Sequence, residues 1–345
     1  SVVDFRIYSI KCEPRSCTTI EEDELLRKYR LNSIEEIQSF VDSGTKAVCH
    51  LLPDAIFGIK EVNLVHKKVG RKNFFSSMAW EPDVLPSKWV DIYKTKIDNY
   101  IVFCDFTKQC FINHGLKEEN IHLVPHPIFD IESSDAYLLN RDVFSVFSMS
   151  QWNERKGWDI LIPAFCHEFF KNEDVELVIK TFRNEHVGAN PKLEQQAVIN
   201  EIVKYKNRVT HYGERSKAKI KAICGLIDKS EISNLFKNST VYCLPTRCDS
   251  FGLTIGEAVI SKRTAIVPSL GGHRDYFSND NPMLVRSKML PCFMEGGIFS
   301  TIDMQLVETD YTDLRKKLRL AYEIWKKNPD LLAKQAEANY LFATK

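Results

Sequence analysis

Two carboxylates and two cations stand out by type and spacing. Asp249 and Glu257 lie in VYCLPTRCDSFGLTIGE, residues 241–257. An apolar run, Val241–Leu244, ends at Pro245, and a polar loop, Thr246-Arg247-Cys248-Asp249-Ser250, follows. After Phe251-Gly252, the apolar positions Leu253, Ile255, Ala258 and Val259 recur at helical spacing. The pattern predicts a strand, a loop and a helix whose first amides are free to hold an anion. Gly252 lets the backbone approach a ligand closely. Glu257 then lies roughly 6 Å along the helix axis. A diphosphate on the amides would leave Glu257 in reach of a ribose and Asp249 in reach of a sugar. The plainer alternative makes Glu257 a solvated helix residue and Asp249 a partner of the helix dipole.

The cations come from FSVFSMSQWNERKGWDILIPAFCHEF, residues 144–169. A strand, a polar turn carrying Arg155-Lys156-Gly157 and a helix are expected. Arg155 offers a planar fork and Lys156 a point charge, a combination suited to a diphosphate leaving group. An ordinary basic turn is the competing reading. Pro163 should bend this helix or lie within its first turns. No D-x-D triplet occurs, so no metal requirement is expected. His122 and His126 are split by Pro125, and packed or solvent-facing roles are expected for both. No C-x-x-C occurs among the ten cysteines. Free buried thiols are expected, with zinc or a disulfide at Cys243/Cys248 as the alternative, and Cys12/Cys17 and Cys104/Cys110 as the other close pairs.

These segments need a scaffold. Strands are expected at Val2–Ile10, Lys46–Leu52, Phe74–Met78, Tyr100–Cys104 and Ile121–Val124. A second series runs Phe144–Met149, Val175–Thr181, Arg208–Tyr212, Val241–Pro245, Thr264–Pro268 and Met283–Val285. Helices are expected at Ile20–Val41, Ser87–Ile97, Phe106–His114, Trp158–Phe170, Glu231–Lys237, Leu253–Ile260 and Leu314–Lys326. Alternating β and α elements imply α/β architecture with parallel sheets covered on both faces. Two such series imply two Rossmann-like, doubly wound domains, with ligands beyond the C-terminal strand ends in a cleft between them. The acidic stretch around Glu132-Ser133-Ser134-Asp135 marks the boundary. The domains expected are 1–135, 136–320 and a helical tail 321–345 that could cross back to the first domain. There is no glycine before Gly44. Either residues are absent upstream or the first domain is pared down.

The chain has 345 residues, 44% hydrophobic and 27% charged, which excludes a disordered or fibrous protein. A net charge of +1 gives no field for wrapping nucleic acid. The stretch Ser1-Val2-Val3-Asp4-Phe5 does not have the charged-then-apolar pattern expected of a signal peptide, and no window approaches the apolar length of a membrane span. A cytoplasmic location is expected, with peripheral membrane contact left open.

The chain resembles the retaining glycosyltransferases of family 4, which have the GT-B fold. Asp249…Glu257 matches that family's E-x7-E motif, and Arg155-Lys156-Gly157 its basic turn after a strand. VPSLGGHRDYF, with Gly271, Gly272 and Asp275, resembles its strand and Gly-Gly turn. SSMAWEPDVLPSKW, YIVFCDFTKQCFINHG and IHLVPHPIFD resemble its acceptor domain. The resemblance runs from about Phe74 to Val285. It implies transfer of a glycosyl group from a nucleotide diphosphate sugar, the donor substrate, to a hydroxyl acceptor on a glycan, lipid or protein, with retention and without a cofactor.

It also implies roles. Lys156, with Arg155, would neutralise the donor diphosphate. Glu257 would hold the ribose hydroxyls and Asp249 would contact the sugar. Amides around Ser250, Phe251, Gly252, Leu253 and Thr254 would bind sugar and phosphate. Gly225-Leu226-Ile227 would lie near the base. On the acceptor side, Trp80 could stack on a sugar and Glu81 bond its hydroxyls; packing and capping would explain both equally. The chain departs from the pattern at Asp249, where Glu is usual, and at Ser150, where Arg is usual. The rivals are a non-catalytic GT-B binding protein and another enzyme on the scaffold, a phosphorylase or an epimerase. The absence of G-x-G-x-x-G disfavours a dehydrogenase.

Overall fold

The computed structural model describes residues 5–8, 24, 27–128, 142–171, 173–183, 191–291 and 304–345. The expected boundary at residue 135 and the pair Cys12/Cys17 lie outside them. The chain forms two compact units. One comprises Ser1–Met78, Leu85–Val102 and Phe111–Val124; the other comprises Ala79–Val84, Phe103–Cys110 and Pro125–Lys345.

In the first unit, β1 (Ile7–Tyr8) pairs in parallel with β2 (Arg30–Leu31). The single helix expected over residues 20–41 is interrupted here. A new helix, Ile34–Phe40, starts at Ser33, whose hydroxyl accepts from the Glu36 amide at 3.2 Å. The Glu36 carboxylate accepts in turn from the Asn32 amide at 2.7 Å. These local bonds make residues 32 and 33 a helix entrance rather than a helix interior. Four strands, β3 (Ala47–Cys49), β4 (Phe74–Ser77), β5 (Asn99–Val102) and β6 (Ile121–Leu123), form a parallel sheet in sequential order.

The second unit holds a six-stranded parallel sheet. Its strands are β7 (Phe144–Gln151), β8 (Val175–Phe182), β11 (Lys219–Cys224), β12 (Val241–Cys243), β13 (Thr264–Pro268) and β14 (Leu284–Val285). They lie in the order β11-β8-β7-β12-β13-β14. That is the doubly wound 3-2-1-4-5-6 pattern, with the order reversing between β7 and β12. Phe144, Val146, Leu177, Val241, Cys243 and Ile266 fill its core. Ligand crevices form at such reversals, beyond the carboxyl ends of the two strands. The basic turn follows β7 and the Asp249 loop follows β12.

Two expectations for this unit are corrected. The run Arg208–Tyr212 does not join the sheet; β9 (Thr210–His211) pairs with β10 (Glu214–Arg215) in a small antiparallel hairpin. One edge of the sheet is β11, unexpected because Lys219 and Lys221 break its apolar run. Both lysines are exposed, as suits a strand edge. Beyond the sheet, β15 (Ser287–Pro291) and β16 (Gln305–Thr309) form an antiparallel hairpin. Helices Tyr311–Lys327 and Pro329–Ala343 complete the unit, so residue 320 falls inside a helix. Pro163 is the sixth residue of Trp158–Glu168, which persists by burying Ile160, Leu161, Ile162, Ala164 and Phe165. Among the described residues, no helix is long and apolar enough to cross a membrane.

Candidate active site

The strand reversal brings the two sequence segments together. The turn Glu154–Lys156 ends at Gly157, which adopts φ 73°. A Cβ on Gly157 would lie 2.0 Å from the Pro245 carbonyl oxygen, so only glycine lets the basic turn press on the β12 exit. Across that contact, Lys156 Nζ donates to Asp249 Oδ1 at 2.5 Å. Their side chains are 12% and 13% exposed. Arg155 Nη1 donates to Glu81 Oε1 at 2.8 Å and to the Cys248 carbonyl at 2.9 Å. Burial pushes the Asp249 carboxyl up, but Lys156 and Arg155 outweigh it and hold the group below the usual carboxylate range. For Glu81 the balance reverses: burial wins over Arg155, and its pKa is raised.

The helix Leu253–Ile260 starts at Gly252, which sits in the left-handed region at φ 73°. A Cβ there would come within 3.0 Å of His273 Cβ. The amides of residues 250–254 find no acceptor among the described residues. Thr254 is anchored instead through its side chain, accepting from the Tyr242 hydroxyl at 2.8 Å. One turn on, burial pushes Glu257 up to about 7.

Several buried polar atoms here have no partner among the described residues: Asp249 Oδ2, Glu257 Oε2, the Tyr276 hydroxyl and His273 Nδ1. Tyr276 feels the charges of both Asp249 and Glu257, and His273 those of Asp249 and Lys156. The atoms therefore share one neighbourhood. Buried polar groups are ordinarily satisfied, so such a cluster requires an explanation. His273 is neutral, pushed down to about 4 by burial. Its Nε2 donates to the Pro268 carbonyl at 2.9 Å, leaving Nδ1 an acceptor. The site thus offers both acceptors for hydroxyls and donors for an anion.

The remaining sequence candidates divide. Glu81 joins the site through Arg155. The Trp80 ring is fully buried and its Nε1 donates to the Val84 carbonyl at 3.0 Å, which corrects the stacking reading: no ring face is open to a sugar. Ser250 and Phe251 are nearly buried, whereas Leu253 is exposed. Ile227 lies in the connection after β11, two strands from β7 on the same carboxyl edge of the sheet. The connection after β11 is anchored by Lys180, whose Nζ donates to the Gly225 carbonyl at 2.5 Å. Cys243 and Cys248 are both free and buried, so the disulfide alternative is corrected. His122 bonds Asn99 at 3.0 Å, and His126 stacks on Phe103 with centroids 3.6 Å apart. Among the described residues, no group of three or more His, Cys, Asp or Glu is placed to hold a metal ion.

The orphaned groups on His273 and Tyr276 escaped sequence analysis. Both follow the Gly-Gly turn, and the available signal was steric: a Cβ on Gly272 would lie 2.0 Å from the Ser250 carbonyl, which forces this turn against the Asp249 loop.

No family model matches the chain. Over 170 residues, 46% of its length, it is 22% identical to mannosylfructose-phosphate synthase of Agrobacterium fabrum; the match spans 35% of that protein. Its fold is similar to α,α-trehalose 6-phosphate synthase from Burkholderia multivorans, with TM-score 0.62 and 12% identity, covering 90% of this chain and 70% of the other. It is likewise similar to the pneumococcal O-GlcNAc transferase GtfA, solved in complex with UDP and GlcNAc. There the TM-score is 0.55 and the identity 14%, covering 90% of this chain and 56% of GtfA. The fold is α/β, of the GT-B type.

Proposed function

We propose that this protein is a glycosyltransferase that moves a glycosyl group from a nucleoside diphosphate sugar to a hydroxyl acceptor. The observation carrying this reading is the entrance to the helix Leu253–Ile260. There the unpartnered amides 250–254 and Lys156 lie beside the orphaned carboxylate oxygens of Asp249 and Glu257. Anion donors flanked by hydroxyl acceptors are what a diphosphate carrying a sugar on one side and a ribose on the other requires. The UDP complex of GtfA supports the donor class. The Asp249…Glu257 spacing supports membership of family 4, and with it retention at the anomeric carbon.

The difficult step is departure of the nucleoside diphosphate, as negative charge grows on its oxygens. Lys156 and the helix amides, already oriented, stabilise that charge without reorganising. Asp249 presents Oδ2 to a sugar hydroxyl while Oδ1 keeps Lys156 in place. Glu257 accepts from the ribose. The absence of a D-x-D triplet supports turnover without a metal clamp. The acceptor is a hydroxyl compound.

The test is calorimetric titration with UDP and UDP-sugars, with Glu257→Ala as the control. Measurable UDP affinity that falls at least tenfold in the variant, about the 1.4 kcal/mol of one good hydrogen bond, is the expected result. A folded protein indifferent to every nucleotide sugar refutes the proposal. One observation favours a second reading, a donor-binding protein without turnover: Arg155 is already committed to Glu81 and Cys248, and Ser150 supplies no second cation. Slow hydrolysis of the bound donor separates the two, since a pure binding protein releases no sugar.

A further inference from the structure

Arg247 is the one cation of the PTRCD loop that faces away from the site, and its bonds tie three segments together. Its Nη1 and Nη2 grip Asp159 Oδ1 and Oδ2 at 2.8 and 2.9 Å, a two-pronged pair. Nη1 also donates to the Glu154 carbonyl at 2.5 Å, and Nε to Glu308 at 3.0 Å. The Arg247 amide donates to the Arg155 carbonyl at 2.7 Å, and the Arg247 carbonyl accepts from the Val307 amide at 2.9 Å. The Arg247 side chain is only 16% exposed, and Asp159 is 20% exposed. A two-pronged arginine–carboxylate pair fixes direction as well as distance, which an ammonium cannot do.

The segments joined are those that matter. Glu154 and Arg155 immediately precede Lys156, and Arg247 lies two positions before Asp249. We infer that Arg247 is a positioning residue: it locks the basic turn, the Asp249 loop and the strand Gln305–Thr309 into one register, so that Lys156 and Asp249 meet the same donor molecule. This inference rests on the donor reading proposed above. The Lys156–Asp249 bond alone would not suffice, because a single bond between two connections fixes their distance but leaves their relative orientation free. Arg247 removes that freedom from behind, without touching the ligand.

The experiment compares wild type, Arg247→Met and Arg247→Lys in the full chain. Amide hydrogen exchange is read segment by segment without ligand, and UDP affinity is read by calorimetry well below each melting temperature. A positioning role predicts that Arg247→Met speeds exchange at the hydrogen-bonded amides of the two loops and their partner turn, Lys156, Gly157, residue 247 and Gly272, by at least about tenfold, the scale of one lost charge-assisted bond. The core strands Phe144–Gln151 and Thr264–Pro268 should stay protected. UDP affinity should fall by a similar factor, and Arg247→Lys should recover only part of both effects. Faster exchange spread evenly over the unit overturns the proposal in favour of a purely stabilising role. Unchanged exchange in the two loops, or full recovery by lysine, overturns it as well. Wild-type protein that fails to bind UDP refutes the donor reading instead, and the exchange data still decide whether Arg247 locks the loops.

Discussion

Replacing Lys156 with methionine should convert a charge-paired buried carboxylate into a stranded one. Lys156 and Asp249 are 12% and 13% exposed, and Asp249 Oδ2 has no other partner among the described residues. Removing one member of a buried ion pair costs about 3–5 kcal/mol, because the remaining charge stays desolvated. Arg155 is bonded to Glu81 and the Cys248 carbonyl, but its charge still acts on Asp249 and offsets part of the loss. The lower end, about 3 kcal/mol at pH 7, is therefore expected. The pH dependence follows from the balance on Asp249. In the wild type its folded pKa is depressed, so its contribution is present above the unfolded pKa and disappears as pH falls through the folded value. Without Lys156, burial is the leading influence and the folded pKa rises. Protonation then relieves the variant, and its deficit against the wild type should shrink as pH falls from 7 toward 4. The double variant Lys156→Met/Asp249→Asn, which removes the stranded charge, should regain most of the loss. Urea denaturation followed by tryptophan fluorescence and circular dichroism at several pH values measures all three. A deficit below about 1 kcal/mol, typical of a surface pair, or one constant across this range, would refute the reasoning.

Glu257 makes a separate prediction. Its folded pKa is raised to about 7, so its stabilising contribution is present at low pH and lost as pH rises through 7. The stability of the wild type relative to Glu257→Gln should therefore fall between pH 5 and pH 8. If the ionised form accepts from ribose, UDP affinity should rise over the same interval in the wild type and stay flat in Glu257→Gln; a titration showing equal slopes would remove Glu257 from the ribose. Gly157→Ala should be among the most destabilising single changes in the chain. It combines a left-handed residue, worth about 1–2 kcal/mol, with a Cβ placed 2.0 Å from the Pro245 carbonyl oxygen. A melting temperature within a few degrees of wild type would show that the basic turn can move away from β12.

Local pattern alone carried a good part of this protein. The strand Thr264–Pro268 and the helix Leu253–Ile260 appear at the residues their periodicity indicates, and β7, β8 and β12 begin where expected. Those features depend on side-chain period and on glycine and proline, which act within a few residues. The strand–loop–helix unit holding Asp249 and Glu257, and the basic turn holding Arg155 and Lys156, were legible for the same reason. β11 was not, because exposed lysines on an edge strand hide its apolar face. Nor could periodicity reveal that Arg155 would be taken up by Glu81, that Trp80 would be sealed in the interior, or that Arg247 would turn toward Asp159. The Arg247–Asp159 pairing follows from the strand order β11-β8-β7-β12-β13-β14, which sets the ends of β7 and β12 side by side, whereas Trp80 and Glu81 come from the segment after β4, outside that sheet. Charge pairing and burial depend on distances between segments far apart in the chain, and those distances exist only after the sheet has assembled.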